Sequence, residues 1–213
     1  MPSYLEFMLK RHMHPGLAEA GCDEAGRGCL AGPVYAAAVI LPDDFHHPLL
    51  DDSKKLTRQQ RDDVRRTVED EAHWAVASLT IDEIDRLNIL HASIEAMHRA
   101  VNKLRRKPQF ILVDGNRFRP HADVPHACVV KGDATFMSIA AASVLAKTHR
   151  DDFMESAHSK YPLYGWDRNK GYPTKQHREA IRAYGPSPLH RRSFRLLPDQ
   201  GTLFEDGRGM RRR

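Results

Sequence analysis

Asp23-Glu24-Ala25-Gly26-Arg27-Gly28 places two adjacent carboxylates directly before a glycine-arginine-glycine turn. The residues in front of it, Ala18 to Asp23, read as a strand that runs into the turn. Val34 to Leu41, an apolar run bracketed by Pro33 and Pro42, is a second strand. Thr57 with Gln60 forms a capping-box pattern that opens a charged helix to about Ala72. Trp74 to Leu79 alternates as a third strand, and Thr80 with Glu83 is a second capping box. Behind it Ile84, Leu87, Ile94, Met97, Val101 and Leu104 fall on one face and predict a helix.

Phe110 to Val113 is then a buried strand with Asp114 at its C-terminal end, and Ala127 to Val130 is another, with Asp133 just beyond. A long helix is predicted from about Thr135 to His158, its small residues Ala140, Ala141, Ala142 and Ser143 allowing close packing on a sheet. Early strands followed by strand-helix units define an α/β class with a mixed sheet flanked by helices.

The 213 residues fit one such domain with an appendage, and 41% hydrophobic content is enough for a core. Residues 1–160 form the expected catalytic core, with 1–17 as a helical or irregular lead-in. After Tyr161-Pro162 the texture changes: Tyr164 to Thr174 is rich in Gly, Tyr and Lys, Thr174 caps a short helix, and Gly185 ends it. Residues 161–198 are expected to be a helical appendage closing one side of a groove, and 199–213 a disordered tail. Thirty-three Lys and Arg against 28 Asp and Glu give a formal net charge of +5, which favours a polyanionic partner without proving one.

Cys22, Cys29 and Cys128 are odd in number and lack paired metal spacing, so they read as reduced thiols in a cytoplasmic protein. Neither a signal peptide nor a membrane span is expected.

Asp23, Glu24, Asp114 and Asp133 lie far apart in sequence, but strand ends converge in an α/β fold. Four carboxylates brought together would repel one another and raise their pKa values, a conflict that a divalent cation removes. Carboxylate and water ligands suit Mg²⁺ or Mn²⁺, and two such ions suit in-line attack on a phosphodiester, one activating the water and one stabilising the leaving 3′ oxygen. Each acid also has a plainer reading. Asp133 could cap the helix that follows, Asp114 could be a turn residue before Gly115 and Asn116, and Asp23-Glu24 could be a solvated strand end. For one carboxylate the plainer reading is the better; the set, with Gly-Arg-Gly attached, points to a nucleic-acid phosphodiester.

The chain resembles the type 2 ribonuclease H family, in its bacterial ribonuclease HII branch. The resemblance rests on Gly21-Cys22-Asp23-Glu24-Ala25-Gly26-Arg27-Gly28, Asp52-Ser53-Lys54-Lys55-Leu56, Asn88-Ile89-Leu90-His91-Ala92 and Val113-Asp114-Gly115-Asn116. It continues through Lys131-Gly132-Asp133, the run Ser138 to Lys147, Lys170-Gly171-Tyr172-Pro173-Thr174 and His190-Arg191-Arg192-Ser193-Phe194. The resemblance implies a ribonuclease H-like fold with Asp23, Glu24, Asp114 and Asp133 as metal-binding catalytic carboxylates. It implies that Gly26, Arg27 and Gly28 read the ribose 2′-hydroxyl and that Tyr172 stacks on the sugar 3′ of the ribonucleotide. The implied activity is cleavage 5′ of ribonucleotides in duplex DNA and in RNA–DNA hybrids, leaving a 3′-hydroxyl and a 5′-phosphate. Cys29 departs from the pattern, where proline is common, and is expected to alter redox sensitivity more than chemistry.

Lys54, Lys55 and Lys147 are candidate phosphate contacts, as are Arg191 and Arg192, with a solvated face or a salt bridge to the domain body as the alternatives. The thirteen histidines show no closed ligand spacing. A monomer is expected. Gln200-Gly201-Thr202-Leu203-Phe204 is a weak lead to a sliding-clamp contact, since it lacks a full paired-aromatic pattern. The rival readings are another nuclease or strand-transferase on the same fold, against which Gly-Arg-Gly argues, and a non-catalytic nucleic-acid-binding module. The last leaves four acids in a basic protein unexplained.

Overall fold

The computed structural model describes residues 9–50 and 56–198. Lys54, Lys55 and the Gln200–Phe204 lead lie outside those residues. The chain order is β1 (Glu19–Ala25), β2 (Val34–Ile40), α1 (Arg58–Glu71), β3 (His73–Leu79), α2 (Ile81–Leu87), α3 (Ile89–Lys103), β4 (Phe110–Asp114), β5 (His126–Val129), α4 (Met137–Lys160), α5 (Trp166–Asn169) and α6 (Lys175–Tyr184). The sheet order is β3-β2-β1-β4-β5. β2 is antiparallel to both β1 and β3, whereas β1, β4 and β5 run parallel. Among the described residues no helix is long and apolar enough to cross a membrane.

The two-residue period of a strand sends alternate side chains to opposite faces. Ala36, Ala38 and Ile40 of β2 pack with Ile94, Met97 and Val101 of α3, while Ala37 and Val39 pack with α4 and with Val64 and Val68 of α1. Alanines dominate these faces, so helices can come close. Gly21 is the extreme case: a Cβ there would lie 2.2 Å from the Ser138 carbonyl carbon and 2.3 Å from the Ile139 nitrogen. Any side chain at 21 would lift α4 off β1.

Both predicted capping boxes form, at Thr57 with Gln60 and at Thr80 with Glu83. The apolar face from Ile84 to Leu104 is carried by two helices rather than one. Asn88 breaks the run with φ 64°, and its Oδ1 accepts from the amides of Leu90 at 3.1 Å and His91 at 3.2 Å. A residue that caps well and tolerates positive φ ends one helix and starts the next. The long helix begins at Met137, later than predicted, because a 3₁₀ turn occupies Gly132–Ala134.

A further cluster joins the chain after the glycine turn to the C-terminal helices through Leu30, Ala31, Met154, Tyr164, Trp166 and Ile181. Inside it lies a polar chain with no sequence signal. The Trp166 indole donates to His177 Nε2 at 3.0 Å, and His190 Nε2 lies 3.1 Å from the same atom. His190 Nδ1 accepts from the Ser187 amide at 2.9 Å, so the His190 proton sits on Nε2. His177 then carries its proton on Nδ1, 2.9 Å from the Tyr172 carbonyl. Burial holds both imidazoles neutral, pushing His177 down and, with His177 as neighbour, His190 to about 4.

An unfolded histidine titrates near 6.5, so below that pH the unfolded chain binds protons that the native chain refuses. Stability contributed by this pair is present above about 6.5 and is lost as pH falls towards 4. The pair is expected to lower Tm by on the order of 5 °C between pH 7 and pH 5, read as the difference between the parent and a His190→Gln variant, because the raised Asp23 and Glu24 carboxyls act in the opposite sense; equal pH profiles for the two would contradict the buried neutral pair.

Candidate active site

The parallel register Cys22↔Val113 sets the carboxyl ends of β1 and β4 side by side. Asp23 and Glu24 lie in the last residues of β1, at the same end of the sheet at which Asp114 closes β4. From β5 the chain turns back at Lys131, φ 57°, so that the Gly132 amide donates to Asp114 Oδ1 at 2.7 Å and the next residue is Asp133. These four carboxylates line one cavity of about 450 Å³ together with Gly26, Arg27, Gly28, Ser143, Lys147 and Tyr172.

Asp133 is 4% exposed, and the helix N-cap behind it is Phe136, with no side-chain cap bond. The helix-cap reading of Asp133 therefore fails. So does the solvated-end reading of Asp23, which is 7% exposed. Burial, then Glu24 and Asp114, raise the Asp23 pKa well above the carboxylate range, against hydrogen bonds from Ser143 and the Glu24 amide. Burial also raises Glu24, with the Arg27 guanidinium, 3.0 Å from Oε1, working the other way. Mutually repelling acids in a buried cavity are a donor set that a hard cation fits. Among the described residues, no three His, Cys, Asp or Glu groups are placed as they stand to hold a metal ion together. Glu24 is held on Arg27 and Asp114 on Gly132.

The two glycines of the turn differ. At Gly28 a Cβ would meet nothing within 4 Å, whereas at Gly26, φ 96°, it would fall 2.1 Å from Arg150 Nε. Gly26 is thus fixed by the protein, and Gly28 leaves open space on the cavity side. Gly28→Ala is expected to keep the fold, with Tm unchanged within about 2 °C, and to lower the cleavage rate by about tenfold through a methyl group in substrate space. A Tm scan beside a rate measurement checks it; an unchanged rate would mean that the space is not used.

Tyr172 is 42% exposed at the cavity. Lys147 lines it too, tethered to Asp151 at 2.5 Å. Arg192 is exposed, with its backbone amide on Asp85 at 3.0 Å, and is not part of the cavity lining. Arg191 corrects its phosphate-contact reading: it is 0% exposed and bonded to the Gly32 and Arg27 carbonyls. Cys29 corrects the redox expectation, because it is 0% exposed and burial raises its thiol pKa, which leaves little reactive thiolate. Ser143 and Arg150 were missed. Ser143 stands in a run of small residues, and no local pattern marks Arg150 as buried.

A family model described as Ribonuclease HII matches residues 20–197. The ribonuclease HII of Phocaeicola vulgatus is 60% identical over 191 residues, 89% of this chain and 95% of that protein. Among solved structures, the ribonuclease H2 from Pyrococcus horikoshii OT3 is similar with a TM-score of 0.69 at 30% identity, over 84% of this chain and 94% of that one. The RNase HII in the PCNA:RNase HII complex from Archaeoglobus fulgidus is similar with a TM-score of 0.71 at 25% identity, over 88% and 98%.

Proposed function

Since the chain belongs to the ribonuclease HII family, and so is a nuclease of the ribonuclease H type, we propose that it hydrolyses the phosphodiester on the 5′ side of ribonucleotides. The substrates are RNA–DNA hybrids and duplex DNA with embedded ribonucleotides, and the products carry a 3′-hydroxyl and a 5′-phosphate. The observation that carries this reading is the meeting of four carboxylates, the Gly26-Arg27-Gly28 turn and Tyr172 around one cavity.

Asp23, Glu24, Asp114 and Asp133 would hold two Mg²⁺ or Mn²⁺ ions. When bound, such ions activate the attacking water and stabilise the leaving 3′ oxygen. The chain does the rest. The Gly132 amide orients Asp114, and the Ser143 hydroxyl orients Asp23. Lys147 and Arg27 offer positive charge to the phosphate, a role extended to Lys54, Lys55 and Arg192 by the family resemblance. Backbone groups of the glycine turn meet the 2′-hydroxyl, and the half-buried Tyr172 ring takes the following sugar. Residues 1–160 serve as the catalytic core and 161–198 as the appendage that closes the groove.

We place the protein in the cytoplasm as a monomer. The archaeal relative solved with PCNA motivates a sliding-clamp contact here as well; co-elution with the host's clamp tests it.

Ca²⁺ has a larger and looser coordination sphere than Mg²⁺. Like Mg²⁺, it is expected to raise Tm by filling the acidic cavity. It is expected to support substrate binding but less than about a hundredth of the cleavage rate. Rapid turnover in Ca²⁺ alone would count against a tightly spaced two-ion site. Mapping the product ends on a duplex of defined sequence tests the reaction itself: a cut 3′ of the ribonucleotide, or a 2′,3′-cyclic end, would overturn it.

A further inference from the structure

Arg150 and Arg191 are 1% and 0% exposed, although a buried guanidinium is costly unless its donors are satisfied. All of their hydrogen bonds end on backbone carbonyls, and among the described residues only Arg191 Nη2 of their donor nitrogens lacks a partner. Arg150 donates from Nε to Pro33 at 3.1 Å, from Nη1 to Lys170 at 2.9 Å and from Nη2 to Ala31 at 3.0 Å. Arg191 donates from Nε to Gly32 at 3.0 Å and from Nη1 to Arg27 at 3.0 Å.

These five carbonyls belong to two segments that each reach the cavity, one through Arg27 and Gly28 and the other through Tyr172. One is the chain from Arg27 to Pro33, which contains the glycine turn and its exit. The other is Lys170, two residues before Tyr172. Backbone bonds close the same joint: Leu30 donates to the Gly171 carbonyl at 2.8 Å, Arg191 to Leu30 at 2.9 Å and Gly32 to Leu189 at 2.8 Å. The packing leaves no slack. A Cβ on Gly26 would overlap the Arg150 side chain, and one on Gly171 would lie 2.5 Å from the Ala31 oxygen. A guanidinium is a rigid planar fork of five donors, so it can fix several carbonyls at once, which a single ammonium cannot do at set angles.

We propose that Arg150 and Arg191 are positioning residues that set the register between the Gly26-Arg27-Gly28 turn and Tyr172, and so the fit of the site to a ribose. They act through backbone and need not touch substrate. This inference rests on the proposed roles of the turn and of Tyr172. Arg191 grips the Arg27 carbonyl, the centre of the turn, and Arg150 ties the exit of that turn to the tyrosine loop. Reaction rates respond steeply to displacements of about 1 Å at the reacting groups, whereas duplex affinity rests on many phosphate contacts.

The test uses Arg150→Lys and Arg191→Lys, which keep the charge and lose the fork, beside Tyr172→Ala. Single-turnover rate and Kd are measured on one duplex with a single embedded ribonucleotide, at a temperature well below each Tm. Amide exchange is followed at Leu30. Each lysine variant is expected to cleave about ten- to a hundredfold more slowly, with Kd within about threefold of the parent and faster exchange at Leu30. If a lysine variant does not fold, Gly171→Ala presses on the same joint with both arginines in place, and the same loss of rate is expected. Lysine variants with a lower Tm but the parent's rate would overturn the inference and leave the arginines as stabilisers only, and a Tyr172→Ala rate loss in the same series would show that the site reading survives. Slow lysine variants beside a fully active Tyr172→Ala would overturn the role of the tyrosine and with it the proposed register.

Discussion

Asp114→Asn and Asp133→Asn are each expected to lower turnover by about a thousandfold while the fold persists. Both substitutions keep shape and lose charge. An asparagine at 114 still offers an oxygen to the Gly132 amide, which Asp114 Oδ1 now accepts at 2.7 Å. At 133 the helix does not depend on the acid, because its N-cap is Phe136. Removing the Asp114 charge also relieves a repulsion on the raised Asp23 carboxyl, so Tm of Asp114→Asn without divalent ions should hold or rise. Single-turnover rates in saturating Mg²⁺, with Tm measured alongside, check both. A near-normal rate in Asp133→Asn would remove Asp133 from the site.

Tyr172→Ala should lower the rate at a single embedded ribonucleotide by on the order of tenfold to a hundredfold. Duplex affinity should change by no more than about threefold, because phosphate contacts carry little information about the sugar. Tyr172 is 42% exposed at the cavity, on a loop held by the Lys170 carbonyl, the Gly171 carbonyl and the Tyr172 carbonyl, bonded in turn to Arg150, Leu30 and His177. Such a loop presents an aromatic face at a fixed place, which suits stacking on a sugar. Tyr172→Phe keeps that face and should stay within about threefold of the parent rate. Equal losses of affinity and rate in the alanine variant would make Tyr172 a general anchor, with discrimination elsewhere.

The placement of much of this candidate site is legible because its residues are marked locally. Asp23-Glu24 before glycines, Asp114 closing an apolar run, and the capping boxes at Thr57 and Thr80 are patterns within a few residues, and each lies where its pattern placed it. The break at Asn88 was harder, since the apolar period runs through it unchanged and only one backbone angle marks it. Arg150, Arg191 and the Trp166-His177-His190 chain were illegible for a different reason. Their partners are backbone carbonyls or side chains in other segments, and no local spacing tells a buried arginine from a solvated one. The Cys29 thiol was misread in the same way, because burial is a property of the packed turn.

Cleavage at a ribonucleotide is tested with two duplexes of identical sequence, one all-DNA and one with a single ribonucleotide, in Mg²⁺ and in chelator. One cut is expected, on the 5′ side of the ribonucleotide, only in Mg²⁺ and only in the duplex that carries the 2′-hydroxyl. Cleavage of the all-DNA duplex at a comparable rate, or cleavage that persists in chelator, would contradict it.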